Sequence, residues 1–167
     1  MVVSTVVCPK NFRVTLGKFP HTPCSIPVKS ILTDLPPRSF LECGLYVKIP
    51  ITNTKGKSTK NVIKNLTNDG IKVNVTAIFT IKQLIDILNY FNNSTPAIIS
   101  VFAGRIADSG RDPIEVMNQC RKKITKKSNI ELLWASSREV VNIIHAIQAK
   151  CHIITISPEI LNKVKLF

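Results

Sequence analysis

The sequence predicts an α/β fold of parallel strands with outer helices, on three observations. Residues 45–167 contain five short apolar runs, and a segment with helical periodicity follows each of them. The strand comes first in every unit, so consecutive strands need helical crossovers and should run parallel. A dinucleotide-binding sheet would carry G-x-G-x-x-G after its first strand, and the sequence has no such motif. We therefore favour an incomplete parallel β/α barrel of the TIM type over a doubly wound sheet.

The first two units follow this pattern. The run "LYVKI" precedes "STKNVIKNLTNDG", where Val62, Ile63 and Leu66 share one helical face and Gly70 ends the helix. The run "VNVTAIF" precedes "TIKQLIDILNYF". Its apolar residues at helical spacing are Ile81, Leu84, Ile85 and Leu88.

The last three units are equally regular. "AIISVF" is followed by Asp112, Pro113 and Glu115, which predict a helix start with a cap and a first-turn proline. The apolar face of that helix is Ile114, Met117, Cys120 and Ile124. "IELLWA" then leads to "SSREVVNIIHAIQAK", and "HIITI" leads to "SPEILNKV".

Residues 1–44 differ from the rest of the chain. Six of the ten prolines lie there, and no long helical or strand period survives. Short extended pieces are expected at "VTL" (14–16) and "SIPVKSIL" (25–32). We interpret residues 1–44 as an irregular, basic, proline-rich leader and residues 45–167 as the partial barrel.

The composition indicates a globular protein, with 44% hydrophobic residues, 20% charged residues and a net charge of +13. That charge is compatible with a phosphate or nucleic-acid partner and also with a lysine-rich solvated surface. No apolar run of about 18 residues occurs, so we expect no membrane span.

The five cysteines lack the spacing of a disulfide framework, which favours reduced thiols in the cytoplasm. Four residues near the amino terminus raise the question of zinc: Cys8, His21, Cys24 and Cys43. Their spacing is irregular and contains no C-x-x-C pair, so we predict no metal site.

Polar residues occur on or just after every predicted strand. Carboxyl ends of the strands in a β/α barrel meet at one face, where the chemistry collects. The residues that could point to this centre are Lys48, Asn74, Thr76, Ser100, Arg105, Ser136, Arg138, Thr155 and Ser157. Taken singly, each residue has an ordinary explanation. A polar side chain on a strand is usually hydrogen-bonded within the protein, and an arginine after a strand is usually a surface charge. Their convergence from several strands is what favours a site.

Lys48 is the unusual residue, because it interrupts the apolar run "YVKIPI". Such a run predicts a buried strand, and burial disfavours the charged form of an amine. A neutral amine attacks a carbonyl to form a Schiff base. Two arginines beyond neighbouring strands would hold a phosphate through forked hydrogen bonds. The pattern indicates an aldolase-like enzyme acting on sugar phosphates.

Five motifs in order resemble the strands of the transaldolase family, which includes small fructose-6-phosphate aldolases. They are "YVKIPIT", "GIKVNVTAIFT", "ISVFAGRIADSG", "ELLWASSREV" and "HIITISPEIL", spread over residues 45–165. The resemblance implies transfer of a dihydroxyacetone unit between sugar phosphates in the pentose phosphate pathway, with no cofactor. The resemblance is also compatible with a homo-oligomeric protein.

The resemblance also implies residue roles. Lys48 is the Schiff-base lysine, Asn74 lines the reaction centre and Thr76 helps to hold a catalytic water. Ser100 contacts substrate hydroxyls. Arg105 and Arg138 bind the phosphate, with Ser136 beside it.

One departure from the family leaves alternatives open. The motifs are those of the last five of eight β-α units, and residues 1–44 are too short for three more. The expected acid/base carboxylate has no match there. The first alternative is an inactive truncated remnant that at most binds phosphorylated sugars. The second is a nucleic-acid-binding protein that uses the basic run "RKKITKK" (121–127) as one helical face; we expect no nucleic-acid partner.

Overall fold

A computed structural model describes residues 5–8, 12–16 and 46–164 of the chain. Seven described strands form one sheet: β1 (Thr5–Cys8), β2 (Phe12–Leu16), β3 (Val47–Pro50), β4 (Val73–Ile78), β5 (Ala97–Val101), β6 (Ile130–Trp134) and β7 (Ile153–Ile156). Six described helices accompany them: α1 (Lys60–Asn68), α2 (Ile81–Leu88), α3 (Ala103–Asp108), α4 (Pro113–Ile124), α5 (Val141–Gln148) and α6 (Pro158–Val164).

The order of the strands decides the architecture. From one edge the sheet runs β3-β4-β5-β6-β7, and each of these neighbouring pairs is parallel. A doubly wound sheet reverses its strand order at a switch point. The order here proceeds in one direction only, as in a β/α barrel. The predicted fold class is therefore confirmed, with five parallel strands alternating with helices in a partial barrel.

Two further strands belong to the same sheet. β2 pairs with β7 in parallel, with Arg13 opposite Ile153, and β1 pairs with β2 antiparallel. The extended piece expected at residues 14–16 is therefore confirmed, whereas their membership of the sheet was not foreseen. The piece expected at 25–32 lies outside the described residues. The boundary between residues 44 and 45 stays a prediction.

The two faces of the sheet have different surroundings. The face covered by helices holds the main core, in which Val75, Ile99 and Leu132 of the strands pack with Leu84 and Met117 of the helices. The opposite face carries a smaller apolar cluster of Ile98, Leu133, Ala135 and Ile153, with Tyr46 and Phe102 against it. Alternation along the strands assigns the predicted site residues that lie on strands, such as Lys48, Asn74 and Ser100, to this second face, which is the interior of a barrel.

Local sequence signals set several helix ends as predicted. The Asp112 side chain accepts a hydrogen bond from the Ile114 amide at the start of α4, with Pro113 in the first turn. Gly70 follows α1 with a φ of +76°, a conformation that glycine adopts without strain. Thr80 and Gln83 form a capping box at the start of α2, which the sequence analysis did not identify.

Two predicted core positions are wrong. Val62 is 49% exposed and Ile85 is 48% exposed, whereas the neighbouring helix positions Thr67 and Ile87 are fully buried. The other residues of the two predicted faces do lie in or against the core, so Val62 and Ile85 are at the edges of the buried stripes. Thr67 is buried on α1 with its hydroxyl satisfied, because it donates to the Ile63 carbonyl and accepts from the Asn92 amide. Within the described residues, no helix is both long and apolar enough to cross a membrane.

Candidate active site

The strand register brings the predicted catalytic residues together. Lys48 of β3 lies directly opposite Asn74 of β4, so both side chains project from the same face of the sheet. Asn74 is half-buried and accepts a hydrogen bond of 2.6 Å from the Ser100 hydroxyl of β5. Three neighbouring strands thus contribute one polar residue each to a continuous row.

The environment of Lys48 differs from the prediction. Its side chain is exposed, so the expectation of a lysine buried within an apolar strand is wrong. Among the described strands, β3 pairs with β4 alone and leaves the other flank of Lys48 uncovered. Ile49 and Ile51, which point to the helical side, are buried as expected. Burial in an apolar strand is therefore no longer a reason to expect a reactive lysine at this position. The remaining reason is that Lys48 lies beside Asn74.

A bulge shapes the carboxyl end of β4. The pairing with β5 shifts between Val75 and Ile78, and Ala77 between them has a φ of +60°. The extra residue lets Val75 and Ile78 both face the helical core while Thr76 stays on the site side. Thr76 is only 8% exposed, and among the described residues its hydroxyl has no hydrogen-bond partner. A buried hydroxyl of this kind is usually satisfied by an ordered water.

Ser100 lies behind Asn74 rather than at the surface. It is 2% exposed, and its hydroxyl is used in the bond to Asn74. Because the Asn74 oxygen is held by Ser100, the two N–H donors of the same amide are turned away from Ser100. Ser100 thereby orients Asn74, a role that the sequence analysis missed. Its predicted contact with substrate hydroxyls stays a prediction.

Arg105 lies beyond the end of β5 as expected, within a short helix. α3 begins two residues after β5 and places Arg105 in its first turn, with the side chain exposed. The guanidinium lies over the Phe102 ring, 5.4 Å from its centroid. Phe102 in turn packs edge to face with Phe79 at 5.5 Å. These aromatic contacts restrict where the Arg105 stem can lie.

The segments after β5 and β6 are locked together at Gly104. Its amide donates to the Ala135 carbonyl at 3.3 Å, and the Ser136 carbonyl lies against its Cα. A Cβ at this position would collide with the Ser136 oxygen and would lie 2.7 Å from the Ser136 carbonyl carbon. Ser136 itself has a φ of +61°. That conformation is strained for a non-glycine residue, and such strain is concentrated at functional sites.

Arg138 is held by an acidic residue that the sequence analysis did not single out. Its Nε and Nη2 donate to Asp108 Oδ2 at 3.2 and 3.0 Å. Both side chains are about half exposed, so the pair adds little stability. Arg105 and Asp108 are three residues apart on α3, so their side chains are neighbours on the surface of that helix. The ion pair therefore brings Arg138 to the part of α3 that carries Arg105.

Two cysteines whose side chains the structure describes are free thiols. Cys120 of α4 and Cys151 before β7 are both buried. The pKa of each thiol is raised to about 12, by burial for Cys120 and by burial together with the neighbouring Cys120 for Cys151. No cluster of metal-binding side chains occurs among the described residues. The side chains weighed as zinc ligands near the amino terminus lie outside that part.

The basic run 121–127 does not form one helical face. α4 ends at Ile124, so Lys126 and Lys127 lie beyond it. Lys127 Nζ donates to Asn93 Oδ1 at 2.9 Å and thus braces a loop. The expected continuous basic face, on which the nucleic-acid alternative depended, is therefore wrong.

These features define a class of protein: a β/α-barrel protein with a lysine, an amide and two arginines near the carboxyl ends of its strands. Residues 40–166 match the family model described as Transaldolase/Fructose-6-phosphate aldolase, and the chain belongs to this family.

Curated relatives agree with the family assignment. The chain is 34% identical over 121 residues to a "Probable transaldolase" of Streptococcus equi subsp. zooepidemicus, covering 72% of this chain and 53% of that protein. It is 32% identical over 121 residues to "Probable transaldolase 2" of Listeria monocytogenes, covering 72% and 52%. A "Probable transaldolase" of Streptococcus pyogenes is also 32% identical over 121 residues, covering 72% and 53%. The chain spans about half the length of these relatives.

Proposed function

We propose that this chain carries transaldolase-type chemistry on sugar phosphates, with Lys48 as the Schiff-base nucleophile. The observation that carries the proposal is the register of Lys48 with Asn74, whose amide Ser100 holds. A primary amine beside an oriented amide can attack a ketose carbonyl and lose water to form an imine. From the family assignment we infer that the imine serves to transfer a dihydroxyacetone unit in the pentose phosphate pathway.

The reaction needs an electron sink and a proton acceptor. The hydroxyl group on Cβ loses its proton to a water molecule, the Cα–Cβ bond relative to the imine breaks, and the protonated imine on Lys48 accepts the electron pair of that bond, which releases an aldose phosphate. The remaining enamine then attacks the carbonyl carbon of an acceptor aldose phosphate, and hydrolysis of the new imine frees Lys48. Thr76 would hold the water through which protons move, which agrees with its buried hydroxyl, for which the described part of the chain supplies no hydrogen-bond partner.

The phosphate would lie where the segments after β5 and β6 meet. Arg105 on α3 and Arg138 after β6 would provide the guanidinium donors, and Ser136, two residues before Arg138, would lie beside them. Forked donors of this kind match phosphate oxygens. Asp108 partly neutralises Arg138, so a bound phosphate competes with or adds to that ion pair.

The test of the proposed chemistry is covalent trapping. The full chain is mixed with fructose 6-phosphate, reduced with borohydride and digested, and the modified lysine is located by peptide mass spectrometry. We expect labelling at Lys48 that disappears in Lys48→Met. Lys64→Met, on the outer helix α1, is the matched control and should leave labelling unchanged. Labelling spread over surface lysines, with Lys48 unmodified, would refute the proposal.

A second function is favoured by a separate observation. The arginine-bearing segments are joined through Gly104 and Ser136 without any contribution from Lys48. A chain that binds sugar phosphates without turning them over is therefore the alternative. Binding of fructose 6-phosphate by calorimetry, with no trapping at Lys48, would distinguish it from the enzyme.

A further inference from the structure

The loop between β6 and α5 is built around a buried amide. Asn142 is only 8% exposed although it lies in the first turn of α5. Its Oδ1 accepts two backbone hydrogen bonds, from the Arg138 amide at 2.8 Å and from the Glu139 amide at 3.1 Å. One side-chain oxygen thus satisfies two consecutive amides of the loop that carries Arg138.

The rest of Arg138 is held as well. Its side-chain stem runs past Gly104, where a Cβ would lie 3.4 Å from Arg138 Cγ. Its guanidinium donates twice to Asp108. The backbone, the stem and the charged end of this arginine are therefore each fixed by a different residue. Asn142 supplies the contact to the backbone.

Helix propensity gives no reason for an asparagine at this position. Asparagine is less favourable than alanine or leucine inside a helix, and a buried amide is costly unless it is hydrogen-bonded. The neighbouring positions of α5 are apolar, and Ala146, one turn later on the same face, is fully buried. The two hydrogen bonds that Asn142 accepts from the loop amides explain why an asparagine is at this position.

We propose that Asn142 is a positioning residue, which fixes the loop backbone so that Arg138 is presented for phosphate binding. It acts through Arg138 and does not itself contact the ligand. The inference rests on the proposed function in one respect, namely that Arg138 binds the phosphate of a sugar phosphate. It adds a residue on α5 that the sequence motifs did not indicate.

The test compares two substitutions in the full chain. Asn142→Leu removes the acceptor, while Asn142→Asp keeps an acceptor oxygen at the same place. Thr67→Val is the matched control, because Thr67 is also buried and its hydroxyl also accepts a loop amide, that of Asn92. Trp134, the single tryptophan, is fully buried and reports whether each variant is folded.

The first readout is affinity for fructose 6-phosphate and for inorganic phosphate, measured by calorimetry. Asn142→Leu should weaken both by about ten-fold, the scale of one or two lost hydrogen bonds. Thr67→Val should destabilise the fold and leave both affinities within about two-fold. A folded Asn142→Leu chain that binds as tightly as the wild type would overturn the inference.

The second readout does not depend on a ligand. Hydrogen exchange of the Arg138 and Glu139 amides should become at least about ten-fold faster in Asn142→Leu and return towards the wild-type rate in Asn142→Asp. If the wild-type chain binds no phosphate, the proposed function fails, and these two exchange rates still decide whether Asn142 holds the loop. Unchanged exchange in Asn142→Leu would rule that role out.

Discussion

The carbonyl oxygen of Ser136 occupies the space that a side chain at Gly104 would need. This contact joins the segment after β5 to the segment after β6 at the backbone level. It also sets the spacing of the two segments that bear Arg105 and Arg138. A single atom added at Gly104 should therefore disturb both the stability of the fold and the candidate phosphate site.

Replacing Gly104 with alanine should destabilise the chain by about 1–3 kcal/mol, because backbone rather than a flexible side chain must move. It should also weaken binding of fructose 6-phosphate. Denaturant unfolding followed by Trp134 fluorescence measures the first effect, and calorimetry the second. Gly70→Ala is the control, since Gly70 also resists substitution, through its φ of +76°, but has open space around it. That variant should lose stability and keep its affinity.

Replacing both Arg105 and Arg138 with alanine should weaken sugar-phosphate binding. Each lost charge-assisted hydrogen bond should cost about 1.5–3 kcal/mol of binding free energy. Because the net charge is +13, part of any loss could come from general attraction of anions. The Lys82→Ala/Lys122→Ala variant removes two charges from the outer helices and controls for this. Equal affinity in the wild type and in the double arginine variant would show that these two arginines do not form the phosphate site.

Replacing Ser100 with alanine should lower the rate of borohydride trapping at Lys48. Without the hydroxyl the Asn74 amide loses its fixed orientation, and a net loss of about 1 kcal/mol of stability is expected. The effects of Ser100→Ala and Asn74→Ala should not add, because the two residues act as a unit. Thr95→Val is the control, since it deletes a buried hydroxyl that donates to the Thr67 carbonyl at 2.6 Å. Additive effects of the first two substitutions would contradict the role of Ser100.

The buried thiols predict how stability depends on pH. The folded-state pKa of Cys120 and of Cys151 is raised to about 12, so the unfolded chain releases these protons at lower pH than the folded chain. The contribution is fully present below about pH 8.5 and is lost as the pH rises towards 12. Within that window each thiol should lower the free energy of unfolding by about 1.4 kcal/mol per pH unit. Denaturant unfolding of the wild type and of Cys120→Ala/Cys151→Ala measures it, and the variant should show a smaller decrease.

The same burial predicts slow alkylation of both thiols. The thiolate attacks iodoacetamide and displaces iodide, so Cys120 and Cys151 should be modified in urea and protected in the native chain. Peptide mass spectrometry separates these two cysteines from the other three. Rapid native modification at either position would show that the packing around that thiol opens readily.

The periodicity of the sequence was sufficient for the fold class and most of the elements. The helix start at Asp112 and the buried face of Met117, Cys120 and Ile124 depend on neighbours along the chain, and the sequence contains those neighbours. The same holds for the strand-first order that predicts parallel pairing. The candidate residues on one face also follow from alternation along each strand, which places Lys48 and Asn74 correctly.

Other features were decided by the tertiary structure alone. The exposure of Lys48 depends on which strands flank β3, and no local pattern contains that information. The Asp108–Arg138 pair and the bonds from the loop to Asn142 depend on how α3, α5 and the ends of β5 and β6 approach one another. Side-chain periodicity sets the direction in which a residue points, whereas burial and partners are set by elements distant in sequence that pack against it.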